Sequence, residues 1–260
     1  AEQAIAALEA GIHVLTEKPM AISLDDADRM IAASAKTGMK LGVIFQNRYS
    51  DAAQKMKKLI VDGEIGQLIG ARSFLTWFRP ESYYQCPWKG KWDTEGGGVL
   101  IDQAIHSLDL VQWLVGSDVD WIHGHYDRRV RTTIEVEDVA EAVIRFKNGC
   151  MYSMYACNYY VTSEPIEIQV YGDKGKLTLR GNDLIIEIGK DEARVLSSSG
   201  SKTSPGKDYW GNNHERQIRD FYRSVTDNKP VFVDGVEGRK ALAMVLSVYE
   251  SSRKGMPIYF

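Results

Sequence analysis

Asp102, His106 and Asp109 interrupt an otherwise apolar segment, GGGVLIDQAIHSLDLVQWLVG, which spans residues 96–116. Side chains four and seven positions apart lie on one face of an α-helix, so the three are predicted to lie together. An acid beside a histidine can hold the imidazole in one orientation, and the pair can then exchange a proton with a substrate hydroxyl. The alternative is that the acids are caps or salt-bridge partners and His106 is a core residue. The local sequence does not decide between them.

Lys18 is a second candidate, in the stretch Thr16-Glu17-Lys18-Pro19 that directly follows a predicted parallel strand. Ligands of open α/β sheets bind at the carboxyl ends of the strands, and Pro19 restricts Lys18 to extended geometry. A lysine held there can direct its ammonium at a hydroxyl or carbonyl. Locally, a strand-ending turn with a solvated lysine is the commoner interpretation.

Metal binding is less well supported than acid–base chemistry. Asp102 and His106 have a plausible ligand spacing, but no HExxH pattern and no cysteine partner accompanies them. His123 and His125 alternate on a predicted strand, which places them on one side without an evident third ligand. No metal site is predicted.

An aromatic loop precedes the Asp/His segment, with cationic side chains interleaved. Nucleic-acid binding uses such mixtures, but the net charge of −3 does not support it. Aromatic rings also pack on the CH faces of sugars, so a carbohydrate-sized pocket is favoured, with Tyr84 and Trp88 expected on its rim. The loop carries Trp77, Phe78, Arg79, Tyr83, Tyr84, Trp88, Lys89, Lys91 and Trp92.

The elements that must position these residues change character along the chain of 260 residues. Residues 1–48 alternate helix, strand, helix, strand, which is typical of a parallel, doubly wound sheet entered in mid-domain. From about residue 66, strand-like segments separated by the turns KNG, GDKG and GND predict an antiparallel or mixed sheet. Two helices close the chain after a polar loop. The apolar runs are too short to span a membrane.

Cysteine usage indicates a reducing compartment. Cys86, Cys150 and Cys157 form no CxxC pair and no even framework, which is typical of free thiols. A cytoplasmic protein is therefore predicted.

Taken in order, EKP after one strand, NRY after the next, and GGGVLIDQAIHSLDL resemble the glucose-fructose oxidoreductase/inositol dehydrogenase/MocA family. The closing segments NNHERQIRDFYRSV and GVEGRKALAMVLSVYESSRKG are similar to the family's last helices. The resemblance implies the C-terminal part of a Rossmann-type domain over 1–48. Residues 49–260 would then form an α/β substrate and oligomerisation domain with a large open, mostly antiparallel sheet.

The resemblance also implies an NAD- or NADP-dependent oxidoreductase acting on a sugar, a polyol or a sugar derivative. By it, Lys18, Asp102 and His106 are catalytic, and Glu17 and Lys18 contact the cofactor. Arg48 is expected to bind substrate together with Tyr84 and Trp88 of the aromatic loop. Which of Asp102 and His106 is the base stays open, and the pair can titrate as a unit.

One departure from the family pattern is large, since no GxGxxG turn precedes Ala1. The first half of the nucleotide domain is therefore predicted to be absent, and this chain alone to bind dinucleotide poorly. Two other functions stay open: a cofactor-dependent lyase or glycosidase on the same scaffold, and a non-catalytic sugar-binding or assembly module. Because the helices are too few to cover both sheet faces, a homodimer or homotetramer through the open sheet is expected, without nucleic-acid or membrane partners.

Overall fold

The computed structural model describes residues 1–190, 192–197 and 213–260. Its residues cluster into two compact units: 1–50 with the described part of 199–243, and 51–198 with 244–260. Of the polar loop predicted over residues 197–212, all but Ser197 lies outside the described residues.

Seven α-helices occur in the described residues, together with short 3-10 turns at Gln46–Tyr49 and Glu81–Tyr84 and a π-helical turn at Leu100–Ala104. In chain order the helices are α1 (Glu2–Glu9), α2 (Leu24–Thr37), α3 (Asp51–Val61), α4 (Trp92–Glu95), α5 (Ile105–Val115), α6 (Asn213–Thr226) and α7 (Gly235–Lys254).

The strands form two sheets, of two and nine strands among the described residues. The small sheet contains β1 (Val14–Thr16) and β2 (Leu41–Val43). The large sheet contains β3 (Leu68–Thr76), β4 (Val119–Asp127), β5 (Val139–Phe146), β6 (Met151–Cys157), β7 (Glu167–Gly172), β8 (Gly175–Arg180), β9 (Asp183–Ile188), β10 (Arg194–Ser197) and β11 (Ile258–Tyr259).

In the first unit, β1 and β2 pair in parallel, as the alternation of helix and strand predicted. The Ser23 hydroxyl caps α2 by accepting the Asp26 amide at 3.1 Å, and Gly38 ends that helix in the left-handed conformation. α6 joins this unit through the side chain of Gln217, which donates to the Val43 carbonyl at 2.8 Å. The end of β2 is therefore held from within its own unit.

The second unit is built on the large sheet, whose strand order is β10-β9-β8-β7-β3-β6-β5-β4-β11. Neighbouring strands are antiparallel except β3 and β6, which are parallel. The mostly antiparallel sheet predicted from the sequence is thus confirmed. α5 packs against β3 and β7, and α3 packs against β8 and β9. One face of the sheet is consequently buried.

The opposite face of this sheet, termed the open face, carries exposed side chains. Successive side chains of a strand point to opposite faces, and the strand register aligns the exposed positions of β3, β5, β6 and β7 on one side. His123 and His125 of β4 are also exposed on this side. The open face includes Arg72, Phe74, Glu141, Val143, Ser153 and Tyr171.

The domain boundary differs from the sequence-based one at its C-terminal side. The first segment of unit one ends at Ser50, close to the predicted boundary at residue 48. Residues 213–243, which the sequence placed in the second domain, cluster with the first unit instead. The reason is packing: a Cβ on Gly238 of α7 would lie 2.5 Å from Val43 of β2, and α6 bonds the same strand.

Candidate active site

The glycines before the Asp/His segment are required by close backbone approach. A Cβ at Gly98 would lie 1.9 Å from the backbone oxygen of Glu137, and one at Gly97 would lie 2.0 Å from the Tyr249 hydroxyl. Gly97 also has a φ of +151°. Only glycine fits such contacts, so the segment begins in direct contact with two buried residues.

The Glu137 carboxylate satisfies the first amides of this segment. It accepts the Gly98 N–H at 2.7 Å, the Leu100 N–H at 3.0 Å and the Tyr249 hydroxyl at 2.8 Å. The first amides of a helix have no partner within the helix, and a carboxylate is a favourable acceptor there. Burial raises the pKa of Glu137 to about 7 despite these three donors.

The segment itself is not a regular α-helix throughout. Leu100–Ala104 form a π-helical turn and α5 follows from Ile105, so the straight helix expected from the sequence is widened where Asp102 lies. Such turns often occur at functional sites. From Val99 to Gln112, all of which are described, Asp102 and His106 are half-buried and the other side chains are buried.

Asp109 does not share that accessibility, contrary to the prediction that the three polar residues occupy one working face. Its side chain is 1% exposed, whereas Asp102 and His106 reach the surface. The π-helical turn changes the angular position of Asp102 relative to α5, whereas His106 and Asp109 both lie in α5, three positions and therefore about 60° apart around the helix axis. Asp109 therefore belongs to the interior of the second unit.

Asp102 is held by two side chains from the aromatic loop. Its Oδ2 accepts the Tyr83 hydroxyl at 2.5 Å and the Lys89 ammonium at 3.0 Å. Lys89 also donates to Tyr83 Oη at 3.0 Å and to Glu95 Oε1 at 3.1 Å. The other Glu95 oxygen accepts the Gly90 amide at 2.6 Å. We call Tyr83, Lys89, Glu95 and Asp102 the aspartate clamp.

The protonation states of the aspartate clamp follow from its charges. Burial lowers the pKa of Lys89. The negative charge of Asp102 and the hydrogen bonds of Lys89 to Tyr83 and Asp102 outweigh this effect, so the pKa of Lys89 lies well above its ordinary value. Burial and the neighbouring Asp102 raise the pKa of Tyr83. Both groups consequently remain protonated near neutral pH and donate to the Asp102 carboxylate, which favours its ionised form.

Glu17 and Lys18 lie at the carboxyl edge of the small parallel sheet. Thr16 ends β1, and its carbonyl accepts the Ile44 amide at 2.9 Å, which ties the ends of β1 and β2 together. Glu17 is exposed, Lys18 is half-buried, and the Lys18–Pro19 peptide bond is cis. Both predicted cofactor residues therefore occupy the position at which open α/β sheets bind ligands.

Arg48 follows β2 in the same unit, within the 3-10 turn. Its side chain is 1% exposed, and its Nη1 donates to Glu237 Oε2 at 2.8 Å. Lys240 donates to the other oxygen of Glu237 at 2.7 Å. This environment is that of a buried ion pair which fixes the turn after β2. Substrate binding by Arg48 stays a prediction.

Tyr84 and Trp88 differ in accessibility within the aromatic loop. The Tyr84 hydroxyl accepts the Asn158 side-chain amide at 2.7 Å, and the Arg131 guanidinium lies 5.3 Å from its ring centroid. Trp88 is 48% exposed, and the Lys89 ammonium lies 4.5 Å from its ring centroid. Trp88 is therefore the more accessible of the two rings, and substrate binding by either stays a prediction.

The described residues contain no group of three or more histidine, cysteine, aspartate or glutamate side chains arranged to hold a metal ion. None of their helices is long and apolar enough to cross a membrane.

Sequence reasoning missed the partners of Asp102 and of the glycine turn. The sequence indicates Lys89 and Tyr83 only as members of the aromatic loop, and it carries no local signal for Glu95, Glu137 or Tyr249. Glu137 is 39 positions from Gly98, and Tyr249 is 112 positions from Glu137. One signal in the sequence points to such a partner. Three consecutive glycines precede an apolar helix, and the buried N–H groups at the start of that helix need an acceptor from another part of the chain.

Two family models together match almost the whole chain. The model described as "Oxidoreductase family, NAD-binding Rossmann fold" matches residues 1–45, and "Oxidoreductase family, C-terminal alpha/beta domain" matches residues 57–260. The second match alone covers more than half of the chain and includes the glycine turn, the aspartate clamp and His106.

Individual relatives are similar over nearly the full chain. The 1,5-anhydro-D-fructose reductase of Ensifer adhaerens is 26% identical over 254 residues, covering 98% of this chain and 74% of that protein. The myo-inositol 2-dehydrogenase of Thermotoga maritima is 25% identical, covering 94% of this chain and 71% of the relative.

A solved structure agrees with these matches. The WlbA dehydrogenase from Bordetella pertussis, in complex with NADH and UDP-GlcNAcA, superposes with a TM-score of 0.83 at 30% identity, covering all of this chain and 75% of the other. With the glycine turn, the Asp/His segment and both family models in the same order, the chain belongs to the glucose-fructose oxidoreductase/inositol dehydrogenase/MocA family of oxidoreductases.

Proposed function

We propose that the protein is an NAD(P)-dependent oxidoreductase that transfers hydride between a hydroxyl of a sugar or polyol and the nicotinamide ring. The observation that carries this proposal is the accessibility of Asp102 and His106, which reach the surface from a segment that is otherwise buried from Val99 to Gln112. A carboxylate fixed by two donors, beside a histidine that also reaches the surface, suits a site that positions and deprotonates a hydroxyl.

The first unit suits a nicotinamide dinucleotide. Its two parallel strands end at Thr16 and Val43, and Glu17 and Lys18 follow at the carboxyl edge. Glu17 and Lys18 are the residues proposed to contact the cofactor. When bound, the cofactor supplies the hydride acceptor or donor, while the protein supplies position and charge.

The two members of the Asp/His pair take different roles in this proposal. Two donors on Asp102 Oδ2 stabilise the carboxylate and fix its orientation, which suits an acceptor that binds and aligns a substrate hydroxyl. His106 has the side chain whose ordinary pKa allows proton exchange near neutral pH. His106 therefore removes the hydroxyl proton during oxidation and returns it during reduction.

Lys18 is proposed to hold the reacting oxygen. An ammonium close to that oxygen stabilises the negative charge that develops as the proton leaves. Trp88 offers an exposed ring for the CH face of a sugar, Tyr84 lines the same loop, and Arg48 is proposed to orient the turn after β2 beside the substrate. The named relatives, a reductase of 1,5-anhydro-D-fructose and an inositol dehydrogenase, support a sugar or polyol as substrate.

Assembly through the open face is part of the same proposal. Phe74 is 43% and Val143 is 40% exposed on this face, in the middle of a sheet whose other side is covered by helices. We propose a homodimer or homotetramer in which the open faces meet. The three cysteines are free thiols in the structure, which supports a location in the cytoplasm.

Formation of reduced cofactor by the full-length protein, incubated with NAD or NADP and a panel of sugars and polyols, tests this function. Lys18→Ala is expected to reduce turnover by about two orders of magnitude or more, because the ammonium acts on charge formed in the transition state. Lys36→Ala, which removes an exposed lysine from α2, is the matched control and should retain full activity.

Each alternative function gives a distinct outcome in that experiment. A lyase or glycosidase would convert the sugar with no net formation of reduced cofactor. A binding or assembly module would bind the sugar without any conversion. Normal turnover of Lys18→Ala would remove Lys18 from the mechanism.

A further inference from the structure

We infer that Lys89 is a positioning residue for the proposed reaction: it holds Asp102 as an oriented, ionised carboxylate, with Tyr83 as the second support. The inference rests on the proposed function, because it concerns the same site. By this inference the aromatic loop orients Asp102 through Tyr83 and Lys89, in addition to offering aromatic rings to a sugar.

The first support for this role is that the hydrogen-bonding capacity of Lys89 is filled by the protein. An ammonium group has three donors, and Lys89 Nζ has three acceptors, on Asp102, Glu95 and Tyr83, at 3.0, 3.1 and 3.0 Å. Its side chain is only 11% exposed. Lys89 therefore acts on the reaction through Asp102 and not by binding the substrate itself.

The second support is the convergence of Tyr83 and Lys89 on one oxygen of Asp102. The Tyr83 hydroxyl donates to Asp102 Oδ2 and accepts a hydrogen bond from the Lys89 ammonium, so the three groups form a closed triangle. Two donors on one oxygen restrict rotation of the carboxylate as well as stabilising its charge. The geometry is therefore that of an alignment device for Asp102.

The third support is the second acid of the aspartate clamp. Glu95 is 7% exposed and bonds the same ammonium nitrogen as Asp102. Without Lys89, two carboxylates would face each other in a partly buried site, and like charges there favour retention of one proton. Lys89 thus permits both acids to be ionised at once.

This arrangement predicts a specific change in the pH dependence of activity. Removing the Lys89 ammonium while leaving the Glu95 carboxylate makes loss of a proton harder both for Asp102 and for the proposed base His106, so activity appears only at higher pH. In Lys89→Met the acid-side limb of the profile of kcat/KM against pH should move up by about one unit or more. Glu95→Gln in the Lys89→Met protein removes the opposing charge and should move that limb back down.

The decisive experiment compares kinetic constants of full-length variants. Lys89→Met is expected to lose about 100-fold in kcat with a much smaller change in KM, because a misaligned group affects the reacting geometry more than binding. Lys89→Arg keeps the charge and should recover part of the loss. Lys91→Met removes an exposed lysine from the same loop and should behave as wild type.

The outcomes separate this inference from the proposed function. An active wild-type protein whose Lys89→Met variant keeps its kcat and pH profile, or loses only thermal stability, overturns the role of Lys89 alone. If Lys89→Met does not fold, Tyr83→Phe removes the second donor to Asp102 and provides the comparison, with Lys89→Arg as the charge-retaining control. A Tyr83→Phe variant with an unshifted pH profile and an unchanged kcat overturns the inference. A wild-type protein without nicotinamide-linked turnover overturns the proposed function and this inference with it.

Discussion

Tyr249 donates a hydrogen bond to Glu137 across 2.8 Å, and both side chains are 1% exposed. Tyr249 lies in the last helix, α7, and Glu137 lies just before β5. Because Glu137 also accepts the amides of Gly98 and Leu100, this bond connects α7 to the start of the segment that carries Asp102 and His106. The position of Asp102 and His106 thus depends in part on the buried Glu137 carboxylate, which holds the start of their segment.

Because Glu137 is buried, we expect the free energy of unfolding to depend on pH in an unusual direction. Burial raises the pKa of Glu137 to about 7, above the ordinary value near 4.5, so the folded state binds this proton more tightly than the unfolded state. Stability from this group is therefore present at acidic pH and lost as pH rises through the interval up to about 7. Integrated over that interval, the loss is at most roughly 3 kcal/mol.

Glu137→Gln should remove this slope. The variant cannot ionise, so its unfolding midpoint should change less between about pH 4.5 and 7 than that of the wild type. Its absolute stability should be lower at acidic pH, because an amide nitrogen faces one of the three donors. Thermal unfolding followed by circular dichroism across this pH range measures both effects. Parallel curves for the two proteins would contradict the assignment.

Gly98→Ala should destabilise the second unit strongly. The added Cβ would meet the Glu137 backbone oxygen at 1.9 Å, and a backbone atom in a sheet-flanking segment has little freedom to move. Overpacking of this kind typically costs about 1–3 kcal/mol, occasionally more. Gly149→Ala is a demanding control, because Gly149 has a φ of +88° but nothing within 4 Å of its Cβ position.

The comparison of these two alanine variants by urea unfolding isolates the close contact. We expect Gly98→Ala to be the less stable of the two, although the backbone conformation of Gly149 is the one that disfavours a side chain. Equal stabilities would mean that the Glu137 segment can move away, and that the glycine turn has another purpose.

The sequence predicted those features of the fold that depend on residues close together in the chain. The Ser23 cap, the Gly38 end of α2, and the hairpins joining β7, β8 and β9 follow from residues close in sequence, and the structure confirms them. The parallel pairing of β3 with β6 could not be predicted in this way, because it depends on contacts between segments about 80 residues apart.

The chemistry of the site was predictable in part. The types and spacing of Asp102 and His106 identified a polar pair on an apolar segment, and both are the accessible residues there. The π-helical turn that contains Asp102 and precedes α5 has no signature in the hydrophobic periodicity of the sequence. The sequence does not identify Lys89 as a partner of Asp102, because a lysine among aromatic residues looks like any solvated loop residue. Its role follows only from its three acceptors in the folded structure.

Arg48→Met should reduce the stability of the first unit. It removes a buried guanidinium and leaves Glu237 with Lys240 as its remaining cation. Breaking a buried pair costs about 3–5 kcal/mol, and because Glu237 is 25% exposed and keeps Lys240, we expect about 1–3 kcal/mol. Arg239→Met, which breaks the exposed pair with Asp28, is the matched control and should cost less.

The same two variants test whether Arg48 also binds substrate. A purely structural Arg48 would leave KM near the wild-type value at temperatures where the variant is folded. A rise in KM well beyond that of Arg239→Met, measured at such a temperature, would support the prediction of direct binding. Unchanged stability would contradict the structural account.

Val143→Glu should dissociate the proposed oligomer. Val143 lies on β5 in the middle of the large sheet, in register with Ser153 of β6 and His123 of β4. A carboxylate buried in a symmetric interface loses its hydration and lies near the carboxylate of the other copy, which costs several kcal/mol of association free energy. Because Val143 is 40% exposed in the single chain, folding of each chain should be little affected.

Light scattering coupled to size-exclusion chromatography at micromolar concentration measures this change in mass. Val61→Glu is the control of equal chemistry: Val61 is 70% exposed at the end of α3, which packs on the opposite, covered side of the sheet. We expect Val143→Glu to elute as a monomer and Val61→Glu to keep the wild-type mass. A wild-type protein that is monomeric would contradict assembly altogether, whereas an oligomer that withstands Val143→Glu would move the interface to another surface.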